Sequence, residues 1–200
     1  MPGGSYKSDV LIALAGESGA GKSTSAQMLQ VMGFHLIELT RRLRGEAKAL
    51  FGAPTRADIQ RYAREVQGNH GNDHYARTAL EEFGDETRGD IVLDGIRNPD
   101  ELDYVTGFTA RTARAFWLLA VVTPAETRFA RVKRRNRAGD PTEFDHFRED
   151  DRRALGDGKS GFQTNAYLIE RAHRRIENTG DPGDLEIALV ETVAAVRGDG

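Results

Sequence analysis

Near the start of this chain of 200 residues, an apolar run gives way to a segment of small residues, and this segment restricts the possible folds more than any other. The run Val10–Ala15 is short and is bounded by an aspartate and a glycine, which predicts a buried strand. Apolar residues then recur at helical spacing from Lys22 until Gly33, and a second apolar run covers 34–39. A strand, a glycine-rich turn, a helix and a strand in this order predict the start of a parallel α/β sheet.

The rest of the chain continues the alternation of strands and helices. Strands are predicted at 91–94, 115–122 and 174–178, and helices at 40–51, 56–66, 72–83, near 99, at 124–137 and at 185–196. The segment 138–161 contains few apolar residues and is expected to form a solvated, mobile lid. Because a chain of this length can bury one sizeable core, we predict a single three-layer α/β domain.

Residues 16–23, GESGAGKS, fit the pattern G-x-x-x-x-G-K-[ST] at every fixed position. Glycines let the backbone curl so that consecutive N–H groups face inward, and the following helix adds the positive end of its dipole. This predicts a cradle for the phosphates of ATP, in which Lys22 reaches the β- and γ-phosphates and Ser23 ligates Mg²⁺. The predicted nucleotide-binding residues are Gly16, Glu17, Ser18, Gly19, Ala20, Gly21, Lys22, Ser23 and Thr24. The alternative is an ordinary glycine-rich turn that binds no ligand.

Asp94 ends the apolar stretch IVLD, which places a carboxylate at the carboxyl edge of the predicted sheet. From this position it can meet Mg²⁺ or the waters of the metal, or it can accept a proton from an attacking hydroxyl group. Both roles stay open at this point. A third interpretation is that Asp94 only caps a turn or a helix, since aspartate is favoured there.

Arginine is concentrated in one predicted helix. Six of the ten residues at 128–137 are basic, and no acidic residue interrupts them. At about 100° per residue, Arg128, Arg131 and Arg135 share one face of this helix. Because a solvated helix normally intersperses acidic residues, this face is predicted to bind an anion such as phosphate. The alternative is a surface helix that pairs with the acidic run at 143–151.

Composition bounds the partners and the compartment. The net charge of −3 argues against general binding to nucleic acid, although a local basic patch can still bind a phosphorylated ligand. The chain contains no cysteine, which excludes disulfides and thiolate chemistry and agrees with a reducing compartment. No apolar stretch approaches the roughly 20 residues that span a bilayer. We expect a soluble, cytoplasmic protein without a membrane partner, of undetermined oligomeric state.

Beyond the loop, the chain resembles the nucleoside monophosphate kinase-like branch of P-loop proteins. This branch includes adenylate kinase, phage-type deoxynucleoside monophosphate kinases, dephospho-CoA kinase and a group of archaeal nucleotide-kinase-like proteins. The resemblance covers nearly the whole chain and rests on the segments LTRRLRGEAKALFG, LDGIRNPDEL, TPAETRFARVKRRNRAGDP, DDRRALG and IENTGDPGDLE. It implies five parallel strands in the order 2-3-1-4-5, an acceptor-binding insertion over about 40–88 and an arginine-rich lid over about 136–161.

The same resemblance implies roles for individual arginines. Arg44 and Arg97 match residues that hold the acceptor phosphate, although the Gly-Asp that usually precedes the first of them is here Thr40-Arg41. Arg64 is expected to line the acceptor pocket. The lid arginines are Arg131 and Arg135, with a catalytic role, and Arg128, Arg137 and Arg153, which are expected to contact the substrates.

These observations together predict an ATP- and Mg²⁺-dependent kinase that transfers the γ-phosphoryl group to a nucleotide, namely a (deoxy)nucleoside monophosphate. One alternative is a kinase with a hydroxyl acceptor, in dephospho-CoA or in a hydroxymethylated pyrimidine of DNA, with Asp94 as the base. The other is a nucleotide-binding module without kinase activity. His70 and His74 are expected to line the acceptor pocket rather than bind a metal, because no third ligand lies nearby in the sequence.

Overall fold

The structure, a computed structural model, describes residues 9–85, 88–137, 139–155 and 164–198. In this part of the chain, five strands form one sheet: β1 (Val10–Ala15), β2 (His35–Glu38), β3 (Ile91–Asp94), β4 (Ala115–Val122) and β5 (Arg174–Glu177). The strand order is β2-β3-β1-β4-β5, and all neighbouring strands are parallel. The predicted fold class and strand order are therefore confirmed.

The helices surround this sheet, and local signals explain several of their boundaries. They are α1 (Lys22–Val31), α2 (Leu39–Phe51), α3 (Arg56–His70), α4 (His74–Phe83), α5 (Pro99–Arg111), α6 (Ala125–Arg135), α7 (Phe144–Leu155), α8 (Asn165–Glu170) and α9 (Pro182–Arg197). α3 begins at a capping box formed by Thr55 and Asp58. α5 begins with a proline after Asn98, whose side chain accepts the N–H of Glu101. Within the described ranges, no helix is long and apolar enough to cross a membrane.

The core lies on both faces of the sheet, because a strand sends alternate side chains to opposite sides. Leu11 and Ala13 belong to an apolar cluster with α2, α4, α5 and α8. Ile12 and Leu14 belong to a second cluster with α1 and α9. All residues of β1 are buried, as expected for the central strand of a parallel sheet that is covered on both faces.

The predicted lid segment contains a helix that the sequence pattern did not indicate. α7 covers 144–155 of this segment, whereas residue 138 and residues 156–161 lie outside the described residues. The buried face of α7 carries Phe147 and the carboxylate of Asp151. The rings of Phe144 and Phe147 pack against Phe129 of α6, with centroids 5.4 and 5.5 Å away. A search for apolar periodicity overlooks this helix, because one of its buried positions is charged.

The parallel arrangement brings four segments together at the carboxyl edge of the sheet. The loop 16–21 follows β1, and Asp94 is the last residue of β3. Thr123 follows β4, and Asn178 follows β5. Ligands of open α/β sheets bind at this edge, so a functional site is expected there.

Candidate active site

The loop between β1 and α1 has a backbone that only glycine adopts easily. Gly16, Gly19 and Gly21 have φ angles of 139°, 81° and 114°. A Cβ atom at Gly16 would lie 2.3 Å from the carbonyl oxygen of Val121, and one at Gly21 would lie 2.3 Å from Nδ2 of Asn178. The three glycines therefore hold a tightly packed cradle next to the N-terminus of α1, a shape suited to the phosphates of a nucleotide.

Lys22 places its ammonium group over this loop. Its Nζ donates hydrogen bonds to the carbonyl oxygens of Gly16, at 2.7 Å, and of Glu17, at 2.9 Å. The pKa of Lys22 is lowered to about 8, mainly because the ammonium group is buried; the charge of Asp94 opposes this shift and that of Arg97 adds to it. A bound polyphosphate would favour the charged form, so the site is electrostatically matched to an anion.

Ser23 and Asp94 form the pair expected of a metal site. Ser23 lies in the first turn of α1, and its Oγ donates a hydrogen bond of 2.9 Å to Oδ2 of Asp94. Only 8% of the Asp94 surface is exposed, and this residue ends β3 beside β1. A hydroxyl and a carboxylate are oxygen donors of the kind that Mg²⁺ prefers, so the residues fit this ion. Mg²⁺ held there would neutralise charge on the transferred phosphoryl group.

Two residues that sequence analysis missed support the loop from behind. The carbonyl oxygen of Ala20 accepts hydrogen bonds from Thr123 Oγ1, at 3.1 Å, and from Asn178 Nδ2, at 2.8 Å. Thr123 Oγ1 also lies 3.0 Å from the carbonyl oxygen of Asn178, which links the ends of β4 and β5. Their signal in the sequence is weak: Thr123 is one polar residue after the apolar strand β4, and Asn178 follows β5, in which three of the four residues are charged.

The side chain of Arg128 is buried between the loop and α7. This side chain is 3% exposed and forms a two-point ion pair with Asp151 of α7, in which both N···O distances are 2.6 Å. It also lies 3.1 Å from a carboxylate oxygen of Glu17 in the loop. The ion pair with Asp151 agrees with the alternative interpretation, in which α6 pairs with the acidic run at 143–151. One arginine of the predicted anion-binding face therefore already has its charge paired within the protein.

The remaining lid arginines are held less firmly. Arg131 lies 3.4 to 3.5 Å from its acceptors on Ala20, Thr123 and Asn178, which are long hydrogen bonds. Arg135 pairs with Asp140 at 2.7 and 2.8 Å. The side chain of Arg137 is exposed, as is that of Arg153, which pairs with Glu149 on its own helix. The predicted arginine face is thus divided among several partners.

Arg97, one of the two arginines predicted to hold an acceptor phosphate, is close enough to Lys22 for its charge to affect the ammonium group. The backbone N–H of Arg97 donates a 2.5 Å hydrogen bond to the carboxylate of Glu101, which is 3% exposed. Burial raises the pKa of Glu101 to about 7, against the effects of Arg97 and Asn98. Glu101 therefore supports the turn that carries Arg97, another role that sequence analysis missed.

The helices α2 to α4 carry the other predicted acceptor residues. Arg44 and Arg64 are exposed, and among the described residues the structure gives neither of them a hydrogen bond or an ion pair. Glu46 lies 3.5 Å from the hydroxyl of Tyr62 and 3.4 Å from that of Tyr75. The rings of His70 and His74 are 4.9 Å apart, and within the described ranges no group of three or more metal-ligating side chains forms.

An open cleft of about 580 Å³ adjoins the loop. It extends from Glu17 along the ends of β4 and β5 to α8, and Thr123, Pro124, Ile169 and Thr179 are among the residues that line it. Its size is in the range of small-molecule sites. A nucleoside could occupy it while its phosphates lie in the loop.

The fold and the loop together define a P-loop protein with a kinase-like fold. The structure is similar to TT1252 from Thermus thermophilus, with a TM-score of 0.59 and 23% identity, covering 94% of this chain and 98% of that one. It is also similar to shikimate kinase from Bacteroides thetaiotaomicron, with a TM-score of 0.56 and 17% identity, covering 94% and 97% of the two chains. At these identities the similarity shows the fold alone.

Sequence comparison shows the family. A family model described as an AAA domain (AAA_18) matches residues 12–153. The chain is 33% identical over 137 residues to a UPF0200 protein of Staphylothermus marinus, covering 68% of this chain and 69% of that protein. It is 31% identical over 149 residues to a UPF0200 protein of Hyperthermus butylicus, covering 74% and 77%. The chain therefore belongs to the AAA domain family and to the UPF0200 proteins.

Proposed function

We propose that this protein is an ATP- and Mg²⁺-dependent phosphotransferase whose acceptor is a nucleotide, a (deoxy)nucleoside monophosphate. The observation that carries the proposal is the 2.9 Å contact between Ser23 and Asp94 at the mouth of the glycine loop, with Lys22 beside it. Phosphoryl transfer needs in-line placement of two substrates and neutralisation of charge, with little covalent chemistry from the protein. In this proposal, Lys22 and the metal held by Ser23 and Asp94 serve the donor phosphates.

The choice of a phosphate acceptor depends on cations that the donor does not need. Arg97 follows β3, whereas Lys22 follows the loop after β1, and the charge of Arg97 affects Lys22. From this position Arg97 can hold a second phosphate. Arg44 and Arg64 project from the insertion over about 40–88 without a described partner. A guanidinium grips phosphate at two points, which suits an acceptor that brings its own negative charge.

The lid arginines would complete the charge neutralisation. The long contacts of Arg131 cost little to exchange for a bound phosphate, and the side chain of Arg135, which pairs with Asp140, is one-third exposed. We assign both to the transition state, with Arg137 and Arg153 as further phosphate contacts. Movement of the lid over the substrates would exclude water, which otherwise hydrolyses ATP.

A hydroxyl acceptor is the second candidate, and the position of Asp94 favours it. This carboxylate is buried beside Ser23 and Lys22, where it could accept a proton from an attacking hydroxyl group. Two structural neighbours carry the names shikimate kinase and gluconokinase. The two candidates differ in charge: a phosphate acceptor requires Arg44 and Arg97, whereas a hydroxyl acceptor requires Asp94 as a base.

The test is a coupled assay of ADP release over a panel of acceptors. The panel contains nucleoside and deoxynucleoside monophosphates, dephospho-CoA and DNA with hydroxymethyluracil, and a reaction without acceptor measures background hydrolysis. The proposal predicts turnover that depends on a nucleoside monophosphate and is lost in Lys22→Ala. Turnover only with a hydroxyl acceptor would establish the second candidate, and binding of ATP without any acceptor-dependent turnover would indicate a nucleotide-binding module.

A further inference from the structure

Arg128 uses its entire hydrogen-bonding capacity within the protein. A guanidinium group has five N–H donors. Nε donates to the carbonyl oxygen of Thr123 at 2.9 Å, and Nη1 donates to the carbonyl oxygen of Ser18 at 3.3 Å. The other three donors bind carboxylates: two bind Asp151 at 2.6 Å, and one binds Glu17 at 3.1 Å. No donor of this buried side chain is left for a phosphate.

These acceptors belong to three different elements. Glu17 and Ser18 are in the glycine loop 16–21, which we call the phosphate loop. Thr123 follows β4, and Asp151 is on α7 of the lid segment. Arg128 is therefore the common partner of the loop and of the lid helix. Its guanidinium also lies 5.3 Å from the ring centroid of Phe147 on α7, which adds a cation–π contact.

The lid helix α7 faces the loop across a small cavity at this point. A cavity of about 10 Å³, the size of one water molecule, separates Ser18 from α7. Phe147 and Asp151 line this cavity from the side of α7. Arg128, with the ring of Phe147 beside it, therefore bridges the loop and the lid helix.

We propose that Arg128 is a positioning residue that joins the phosphate loop to lid helix α7, so that docking of the helix and the nucleotide-binding shape of the loop depend on each other. Glu17 is the attachment on the loop, and Asp151 is the attachment on the helix. The proposal rests on the proposed function, in that it assigns the loop to a nucleotide. It replaces the predicted role of Arg128 as a ligand of substrate phosphate.

The two roles of Arg128 make opposite predictions when Asp151 is neutralised. If Arg128 were a phosphate ligand, the loss of its strongest partner would release it toward ATP, and binding would stay equal or become tighter. If Arg128 positions the loop, the loss of Asp151 loosens the loop, and binding becomes weaker. Coupling is reciprocal, so a substitution at Glu17 must also weaken the docking of α7.

The experiment compares Asp151→Asn and Glu17→Gln with the wild type by amide hydrogen exchange and by calorimetry with Mg·ATP. Asp145→Asn is the matched control, because Asp145 is exposed on the same helix and the described part of the structure gives it no ion pair. Exchange in α4, which lies in the acceptor-side helices, serves as the internal reference for global destabilisation. Glu17→Gln decides the question if Asp151→Asn does not fold.

In Asp151→Asn we expect faster exchange in the loop 16–21 as well as in α7, with α4 unchanged, and Mg·ATP binding weaker by about 2- to 30-fold. In Glu17→Gln we expect faster exchange in α7. Wild-type exchange in the element that was not mutated, or unchanged or tighter Mg·ATP binding in Asp151→Asn, would overturn the proposal. If the wild type itself bound no Mg·ATP, the proposed function would fail, while the exchange data would still decide whether the loop and α7 are coupled.

Discussion

Glu101 makes a contribution to the stability of the protein that decreases as the pH rises. Its carboxyl group is buried, accepts the N–H of Arg97 and lies near the charges of Arg97 and Asp73. Burial raises its pKa from the ordinary value of 4.5 to about 7. Because the folded-state pKa is the higher one, this contribution is fully present below pH 4.5 and is lost as the pH rises through about 7.

The size of the effect follows from the two pKa values of Glu101. At about 1.4 kcal/mol for each pH unit, the interval between them corresponds to about 3 kcal/mol of unfolding free energy. The substitution Glu101→Gln removes the titration but keeps an oxygen that can accept the N–H of Arg97. The variant is therefore expected to lack this part of the pH dependence.

The assay is denaturant unfolding of the wild type and of Glu101→Gln at pH 4.5 and pH 7.5. Between these pH values the wild type should lose about 3 kcal/mol more unfolding free energy than the variant, since all other groups titrate equally in both proteins. Asp103→Asn is the matched control, because Asp103 is exposed on the same helix, and it should behave as the wild type does. Equal losses in the wild type and in Glu101→Gln would show that the Glu101 carboxyl group does not cause this pH dependence.

Three further substitutions test individual roles. Gly16→Ala should destabilise the protein by about 1–3 kcal/mol more than Gly33→Ala in thermal unfolding. Both glycines have a positive φ, but only at Gly16 would an added Cβ lie 2.3 Å from a backbone oxygen. Equal effects of the two substitutions would show that the loop relaxes around the added methyl group. Ser23→Ala should raise the Mg²⁺ concentration needed for half-maximal turnover by about 10-fold or more, and an unchanged requirement would remove Ser23 from the metal site. Arg44→Ala should raise the acceptor KM by roughly 10- to 100-fold and hardly change the KM for ATP, whereas equal effects on both would remove Arg44 from the acceptor site.

The parts of the site that the sequence predicts are those set by local geometry. The loop motif is contiguous, and a strand followed by a glycine-rich turn and a helix determines where it lies. Asp94 could be placed near Ser23 because the carboxyl ends of parallel strands meet at one edge of the sheet. The strand order follows from the resemblance to nucleoside monophosphate kinases rather than from the pattern itself.

The parts that the sequence does not predict depend on contacts between distant segments. Arg128 and Glu17 are 111 residues apart, and no periodicity links them. Helical spacing alone placed Arg128 on a face with two other arginines, but packing of α7 turned its side chain toward Asp151. The support of Arg97 by Glu101 is equally hidden, because an acidic residue in the first turn of a helix ordinarily indicates only a helix start.

Calorimetric titration of the folded wild type with Mg·ATP decides whether the loop 16–21 is a nucleotide site at all. We expect saturable heat and a rise in the unfolding temperature with ligand concentration, as ligand binding to the folded state requires. The variant Lys22→Ala should stay folded and lose both signals, because it lacks the ammonium group at the loop. If the folded wild type gives neither heat nor a thermal shift, the loop does not bind this nucleotide and the proposed phosphotransfer is wrong.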